Sequence, residues 1–332
     1  MQIKKSLKGF SVLAAVAATT LALQGCAAPV EEVEFPTGPI NYVIPYNPGG
    51  STDPAGREFA RLLAIELGTT ETVENIPGGD ETIGVTAVLT AEPDGHSLGV
   101  SSATGIIVQP LVNPALPFKG PDDYTPVGKM IQAPNAIFVG KDSPFQTIEE
   151  FIAAAKERPG EISVGTTGRL TNNSFAIYAL EEQAGIDLNL VPFQGGAGEA
   201  VLAAIGGQID AVIPTVPAQL GLFASGDIRA LAHTGTPEYN KILGGAPSFE
   251  ELGYDIPFSS DYVTIAAKGL PEAVKNRLVD AAYKVASSKE WADWCAEKGF
   301  LATPMKDQEL LDWIAMVTEA SKAAIAKADA AG

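Results

Sequence analysis

The chain has 332 residues, 40 acidic against 22 basic side chains and a formal charge of −18. That is ample length for two domains, and far too acidic for nucleic-acid binding, which needs basic surface to displace counterions. With only two histidines and two cysteines, a zinc or iron site is not expected, and no cofactor is implied.

At the N-terminus Lys4, Lys5 and Lys8 precede an apolar stretch from Phe10 to Leu23. A short basic segment before an apolar run of that length reads as a secretory signal rather than a membrane span. It ends in Leu23-Gln24-Gly25-Cys26, small residues before a cysteine, as in a bacterial lipobox. Residues 1–25 are therefore expected to be removed and Cys26 lipidated, holding the protein outside the cytoplasm on a membrane. The expected location is the outer face of the cell membrane in a Gram-positive host, or the periplasm. Removal takes three lysines and no acid, so the mature chain is more acidic still. Cys295 is then the remaining free thiol, and no internal disulfide can form. Residues 26–37, with three glutamates and no periodicity, read as an acidic tether.

From residue 40 the chain alternates short apolar runs with helical patterns, which predicts α/β construction with mainly parallel sheets. Tyr42 to Pro45 suits a buried strand, Pro48-Gly49-Gly50 breaks it, and Asp53-Pro54 reads as the N-cap and first turn of a helix. Phe59, Leu62, Leu63 and Leu67 give that helix one buried stripe, ending at Gly68. A strand-to-helix turn of this kind presents backbone N–H groups and a positive dipole end, which suit an anion. It is no phosphate loop, because the GxxxxGK[ST] lysine is missing.

Thr72 to Asn75 follows as a strand, then Pro77-Gly78-Gly79 and a helix through Val85 to Thr90. Ser97 to Ser101 is a strand leading into a polar loop, Ser101 to Gly105. A second unit begins near Ala136. Thr147-Ile148-Glu149-Glu150 is a capping box for a helix with Ile148, Phe151, Ile152 and Ala155 on its apolar face. Ile162 to Gly165 is a strand, Thr166 to Asn173 a polar connection, and Phe175 to Ala184 a helix. Then come a strand at Leu188 to Val191, a helix ending at Gly206-Gly207, and strands at Ile209 to Ile213 and Ile228 to Ala232. Tyr262 to Ala267 is extended and leads to two C-terminal helices with Trp291, Trp294 and Trp313 as packing anchors. Residues 38–134 with 262–332, and residues 135–261, are expected to form two domains facing across a cleft. The chain would cross between them twice, and its glycine turns would line the cleft at strand carboxyl ends.

Several ordered segments together resemble the extracytoplasmic solute receptors of the tripartite tricarboxylate transporter family, the Bug receptors. They are ProTyrAsnProGlyGlySerThrAsp (45–53), ValGluAsnIleProGlyGly (73–79), GluProAspGlyHis (92–96), the long stretch 191–210, and GlyAspIleArgAlaLeuAla (226–232). The resemblance implies a type II periplasmic-binding-protein fold, two α/β domains closing on a ligand by hinge motion. It implies a monomeric, non-enzymatic receptor for a small organic carboxylate, commonly a di- or tricarboxylate, delivered to integral membrane transporter subunits.

The residues it assigns to the ligand are Tyr46, Gly49, Gly50, Ser51, Thr52 and Asp53 in the first loop, with Asp53 fixing a bridging water, and Ser101, Ser102 and Thr104 in the second. Across the cleft it assigns Gly168, Arg169, Thr171, Asn172, Asn173 and Thr215, with Asp261 completing the set. Gly168-Arg169-Leu170 departs from the small neutral residues usual there, so Arg169 is expected to bind a ligand carboxylate with its planar fork. Leu170 would narrow the pocket or favour a more apolar ligand, and Pro214 also departs from the family pattern. Asn172-Asn173-Ser174 matches a glycosylation acceptor by coincidence. The same fold could serve an ATP-driven (ABC) importer or a sensor kinase. A Ser/Thr hydrolase would need His96 or His233 as base, and neither stands in a nucleophile motif.

Overall fold

The computed structural model describes residues 34–193 and 196–330. The signal segment, Cys26 and most of the tether lie outside the described residues.

The elements run β1 (Ile40–Ile44), α1 (Thr52–Leu67), β2 (Glu71–Asn75), α2 (Thr82–Leu89), β3 (Ser97–Ser102), α3 (Gln109–Val112), β4 (Tyr124–Ala133), β5 (Ala136–Gly140), α4 (Ile148–Glu157), β6 (Ser163–Thr166), α5 (Asn172–Ala184) and β7 (Asn189–Pro192). They continue α6 (Ala197–Ile205), β8 (Ala211–Val212), α7 (Leu220–Ala224), β9 (Ile228–His233), β10 (Ser260–Ala267), α8 (Glu272–Ala286), α9 (Lys289–Lys298), β11 (Leu301–Met305) and α10 (Asp307–Ala330). Two sheets form, in the orders β11-β4-β10-β3-β1-β2 and β7-β6-β8-β5-β9, and each is the centre of a lobe.

The sheets are mixed rather than mainly parallel. β1 runs parallel to β2 and β3, and β6 to β7 and β8. β10 runs antiparallel to β3 and β4, β11 to β4, and β5 to β8 and β9. The reason is connectivity. The chain leaves the first sheet along β4, re-enters it along the adjacent β10, and two neighbouring strands of opposite travel must pair antiparallel.

Period-2 alternation divides each strand between two cores. Ile40, Tyr42 and Ile44 of β1 join Phe59, Leu63, Leu278 and Trp291 on one face, while Val43 joins Val85, Val88, Ile314 and Val317 on the other. In the second sheet, Ile137 and Val139 face α4 and α5, and Ala136 and Phe138 face α6. β8 is shorter than the apolar run Ile209 to Ile213 suggests. Asp210 turns its carboxylate to the Ser163 N–H and hydroxyl, at 2.8 and 2.6 Å, and takes that donor off the ladder.

Thr147 caps α4 as expected, accepting the Glu150 N–H at 3.3 Å, while the Glu150 carboxylate returns to the Gln146 N–H at 2.7 Å. The C-terminal part holds three helices rather than two. α10 joins the lobes: Leu310, Ile314 and Val317 sit in the core of the first, and Ala324 and Ala328 in that of the second.

Close packing sets α2 against the first loop. A Cβ on Gly84 would stand 2.7 Å from the Ile76 carbonyl and 2.8 Å from Pro45 Cβ, so only glycine lets the helix approach this near. That approach places the start of α2 beneath the loop after β1.

Candidate functional site

β1 ends at Ile44, and α1 opens at Thr52 with Ser51 in the N-cap position. Ser51, not Asp53, is the capping position, and it makes no side-chain cap because its backbone is already helical. Its hydroxyl instead lies 2.9 Å from the Tyr262 hydroxyl and 3.4 Å from the Thr215 hydroxyl on the loop after β8. Asp53 falls in the first turn, where an acid complements the helix dipole. Its Oδ1 accepts from Arg57 Nε and Asn75 Nδ2, both at 2.9 Å, and Asn75 Nδ2 also reaches the Tyr46 carbonyl at 2.8 Å. Gly49, at φ +100°, and Gly50 open onto free space. The first loop is thus pinned at Tyr46 and Asp53 and open at its glycines.

The second predicted loop is not a loop. Ser101 and Ser102 finish β3, Thr104 begins a π-helical turn to Val108, and all three are buried. Their polar groups are taken up by Glu81, which the sequence reading did not single out. Glu81 is 1% exposed, at φ +78° just ahead of α2. Its Oε2 accepts the Ser101 hydroxyl and the Ser102 N–H, each at 2.8 Å. Its Oε1 accepts the Tyr46 hydroxyl at 2.8 Å and the Ser102 hydroxyl.

Among the described residues no lysine, arginine or histidine forms an ion pair with Glu81. Burial pushes its carboxyl above the ordinary range, opposed by the four donors. Burial and the adjoining Glu81 likewise raise the Tyr46 phenol. Only the backbone hints at this arrangement in the sequence: an acid directly after Gly-Gly-Asp and before an apolar helix.

In the second lobe Thr171 caps α5, accepting the Ser174 N–H at 3.5 Å, and the Gly168 carbonyl accepts the Ser174 hydroxyl and, at 3.1 Å, that of Thr166. Asn172 and Asn173 are buried. Asn172 Nδ2 donates to the Ser259 carbonyl at 3.2 Å, and Asn173 Nδ2 to the Ile213 carbonyl at 2.5 Å. Asn135 Nδ2 adds a bond to the Phe258 carbonyl at 3.2 Å. These amides tie the start of α5 to both segments that link the sheets. Arg169 is exposed, and its positive charge acts on the Tyr178 hydroxyl along α5. Asp261 is buried in an ion pair with Lys129 Nζ at 2.7 Å and accepts from the Ser259 hydroxyl at 3.2 Å.

The structure therefore brings Tyr46, Ser51, Ser101 and Ser102 together around Glu81 and Tyr262, with Thr215 meeting them from the second lobe. Asn172, Asn173 and Asp261 have partners elsewhere, and Arg169 is exposed. Two cavities, of 480 Å³ beside Gln132, Thr234 and Tyr254 and of 530 Å³ beside Gln146, Arg229 and Leu243, lie away from this cluster. Both histidines are engaged: His96 with Thr37 and Asp94, and His233 with Asn240 at 2.8 Å and the Gly235 N–H at 3.1 Å. Burial lowers the His233 pKa. Among the described residues there is no cluster of His, Cys, Asp and Glu fit to hold a metal, and no helix long and apolar enough to cross a membrane.

Two α/β lobes linked by paired strands, with the openings of α1 and α5 turned toward the seam, define a periplasmic-binding-protein fold. A TctC solute binding protein from Polaromonas is similar, with a TM-score of 0.72 at 28% identity over 89% of this chain and 100% of that one. A periplasmic transporter structure is similar with a TM-score of 0.73 at 27% identity, covering 88% and 96%. The chain belongs to the tripartite tricarboxylate transporter family receptors, whose family model matches residues 56–329. BugT of Bordetella pertussis is 29% identical over 320 residues, 92% of this chain and 97% of that protein. A protein from the tcbD–tcbE intergenic region of Pseudomonas sp. strain P51 is 32% identical over 252 residues, 74% of this chain and 72% of its own. The protein is a solute receptor of the TctC/Bug type.

Proposed function

We propose that this receptor is an extracytoplasmic, non-enzymatic protein, anchored through Cys26, that captures a small organic carboxylate by closure of its lobes. It hands the ligand to the integral membrane subunits of a tripartite tricarboxylate transporter. The observation that carries this reading is the contact between Ser51, at the opening of α1 in the first lobe, and Thr215 in the second, 3.4 Å apart. A carboxylate seated there would meet the N-terminal end of a 16-residue helix and the hydroxyls of both lobes. Residues 38–134 with 262–317 would move against 135–261, whose core holds the end of α10 through Ala324 and Ala328, about the paired crossings. Two proteins of similar fold, at 23% and 22% identity, carry malate and adipate, acids of the proposed class. Hydrolysis is disfavoured, since both histidines are committed to partners other than a serine or threonine in the site.

A thermal-shift and calorimetric screen of mono-, di- and tricarboxylates on residues 27–332 tests the reading. The best acid should stabilise the protein by about 2.7 kcal/mol at a hundredfold excess over its Kd. A folded sample that binds no acid in the screen contradicts it. Arg169, exposed two residues ahead of the α5 N-cap Thr171, would turn its planar fork to the ligand carboxylate. Arg169→Ala should then cost about 1.5–3 kcal/mol of binding, and affinity kept within about twofold rules out that contact.

A further inference from the structure

The second ligand-binding segment expected from the sequence, Ser101 and Ser102, is already filled by a carboxylate of the protein itself. Glu81 takes the Ser101 hydroxyl, both donors of Ser102 and the Tyr46 hydroxyl. The fit is enclosed on its remaining side, where a Cβ on Gly105 would come within 2.7 Å of Glu81 Oε2. The backbone there is costly for a glutamate, since φ of +78° lies in the left-handed region that favours glycine. The four donors hold the carboxyl there against the backbone's own preference.

Tyr46 connects that charge to the cleft. Its hydroxyl donates to Glu81 at its buried end, while the residue as a whole is 36% exposed on the first loop. A phenol that donates to a carboxylate gains electron density in its ring, and such a ring attracts cations. The other charged groups facing this corner are Asp80, which is exposed, and the Asp53–Arg57 pair at 2.9 Å. Counted together, they leave the corner with net negative charge. In a partly desolvated cleft a second ligand carboxylate placed beside them would be repelled, and an ammonium group attracted.

We infer that Glu81, acting through the Tyr46 ring, is a specificity-determining residue that selects a ligand with one carboxylate and a cationic amine at its other end. This rests on the carboxylate-receptor reading above. The carboxylate would lie at Ser51 and Thr215, and the ammonium group over Tyr46. A symmetric dicarboxylate would bring its second anion to this acidic corner, with Ser101 and Ser102 already taken by Glu81.

The test is calorimetry on wild-type protein with ω-amino acids against dicarboxylates that have the same number of methylenes between their end groups, such as 4-aminobutyrate against glutarate, across a series of chain lengths. The amino acid of the best-binding length should bind at least about tenfold tighter than its dicarboxylate partner. Glu81→Gln, which keeps an acceptor for the Ser102 N–H, should cut that ratio to within about threefold by weakening the amine and strengthening the diacid. Glu81→Gly, free of the backbone cost, should do the same if the glutamine variant folds poorly. Tighter binding of the diacid by wild type, or a ratio unchanged in a folded variant, overturns the inference while leaving the carboxylate-receptor reading intact. Binding of no acid at all, amino or dicarboxylic, overturns both.

Discussion

Lys129→Met should cost about 3–5 kcal/mol of unfolding free energy, measured by urea denaturation at neutral pH, because it strands a buried carboxylate. Lys129 and Asp261 are both almost wholly buried, on adjacent strands β4 and β10, with Nζ 2.7 Å from Oδ1. Nζ also lies 5.1 Å from the centre of the Trp313 ring on α10, so one cation joins both linking strands to the helix that spans the lobes. The pair is an ion contact rather than an aligned hydrogen bond, and Ser259 supports only the other oxygen, at 3.2 Å. Removing the lysine therefore leaves Asp261 with little compensation. The double variant Lys129→Met with Asp261→Leu should recover most of the loss, because apolar groups of similar volume replace a desolvated pair at little net cost. A single-variant loss under about 1 kcal/mol would show that water reaches the pair.

Trp291→Ala should cost about 3–5 kcal/mol in the same measurement. Trp291 is fully buried, stacked on Trp294 with ring centres 5.1 Å apart and set edge-on to Phe59 at 5.2 Å. Its indole N–H has a second task. Where β4 pairs with β10, Ile131 faces Tyr262 and Lys129 faces Val263, so Met130 bulges out of the ladder. The Met130 carbonyl accepts the indole N–H at 2.9 Å. Truncation removes a large apolar side chain and orphans that carbonyl. Trp291→Phe, keeping most of the packing but not the donor, should lose clearly less; equal losses would place the whole effect in the hydrogen bond.

Whether an element was legible in the sequence depended on whether its signal was local. The first loop, the α1 stripe and the Thr147 capping box are written in consecutive residues, and they stand close to where the pattern puts them. β4 was not legible, because Pro126, Gly128 and Lys129 break the apolar run, and only burial between β10 and β11 makes a ten-residue strand of it. β11 carries Pro304 and is tolerated at a sheet edge.

The candidate site was half legible for the same reason. The family resemblance points to Tyr46, Ser51, Ser101, Ser102 and Thr215, and the fold brings them near Glu81 and Tyr262. Asp261 was named as a ligand residue, but its partner is 132 positions away, and no sequence pattern reveals a pair so distant. Glu81 was missed because an acid in a glycine turn reads as solvated surface. It is buried by Tyr46, Ser101, Ser102 and Gly105, all far from it in sequence.

The central claim, capture of a carboxylate between the first loop and Thr215, is tested most directly by titrating the best acid into Thr215→Trp. Thr215 is only partly buried, and an indole there would stand against Ser51, whose hydroxyl is 3.4 Å from that of Thr215, and block closure on the ligand; a cooperative melt shows that the variant is folded. The affinity should fall by roughly a hundredfold; a Kd within about twofold of wild type would place the ligand elsewhere and contradict the account.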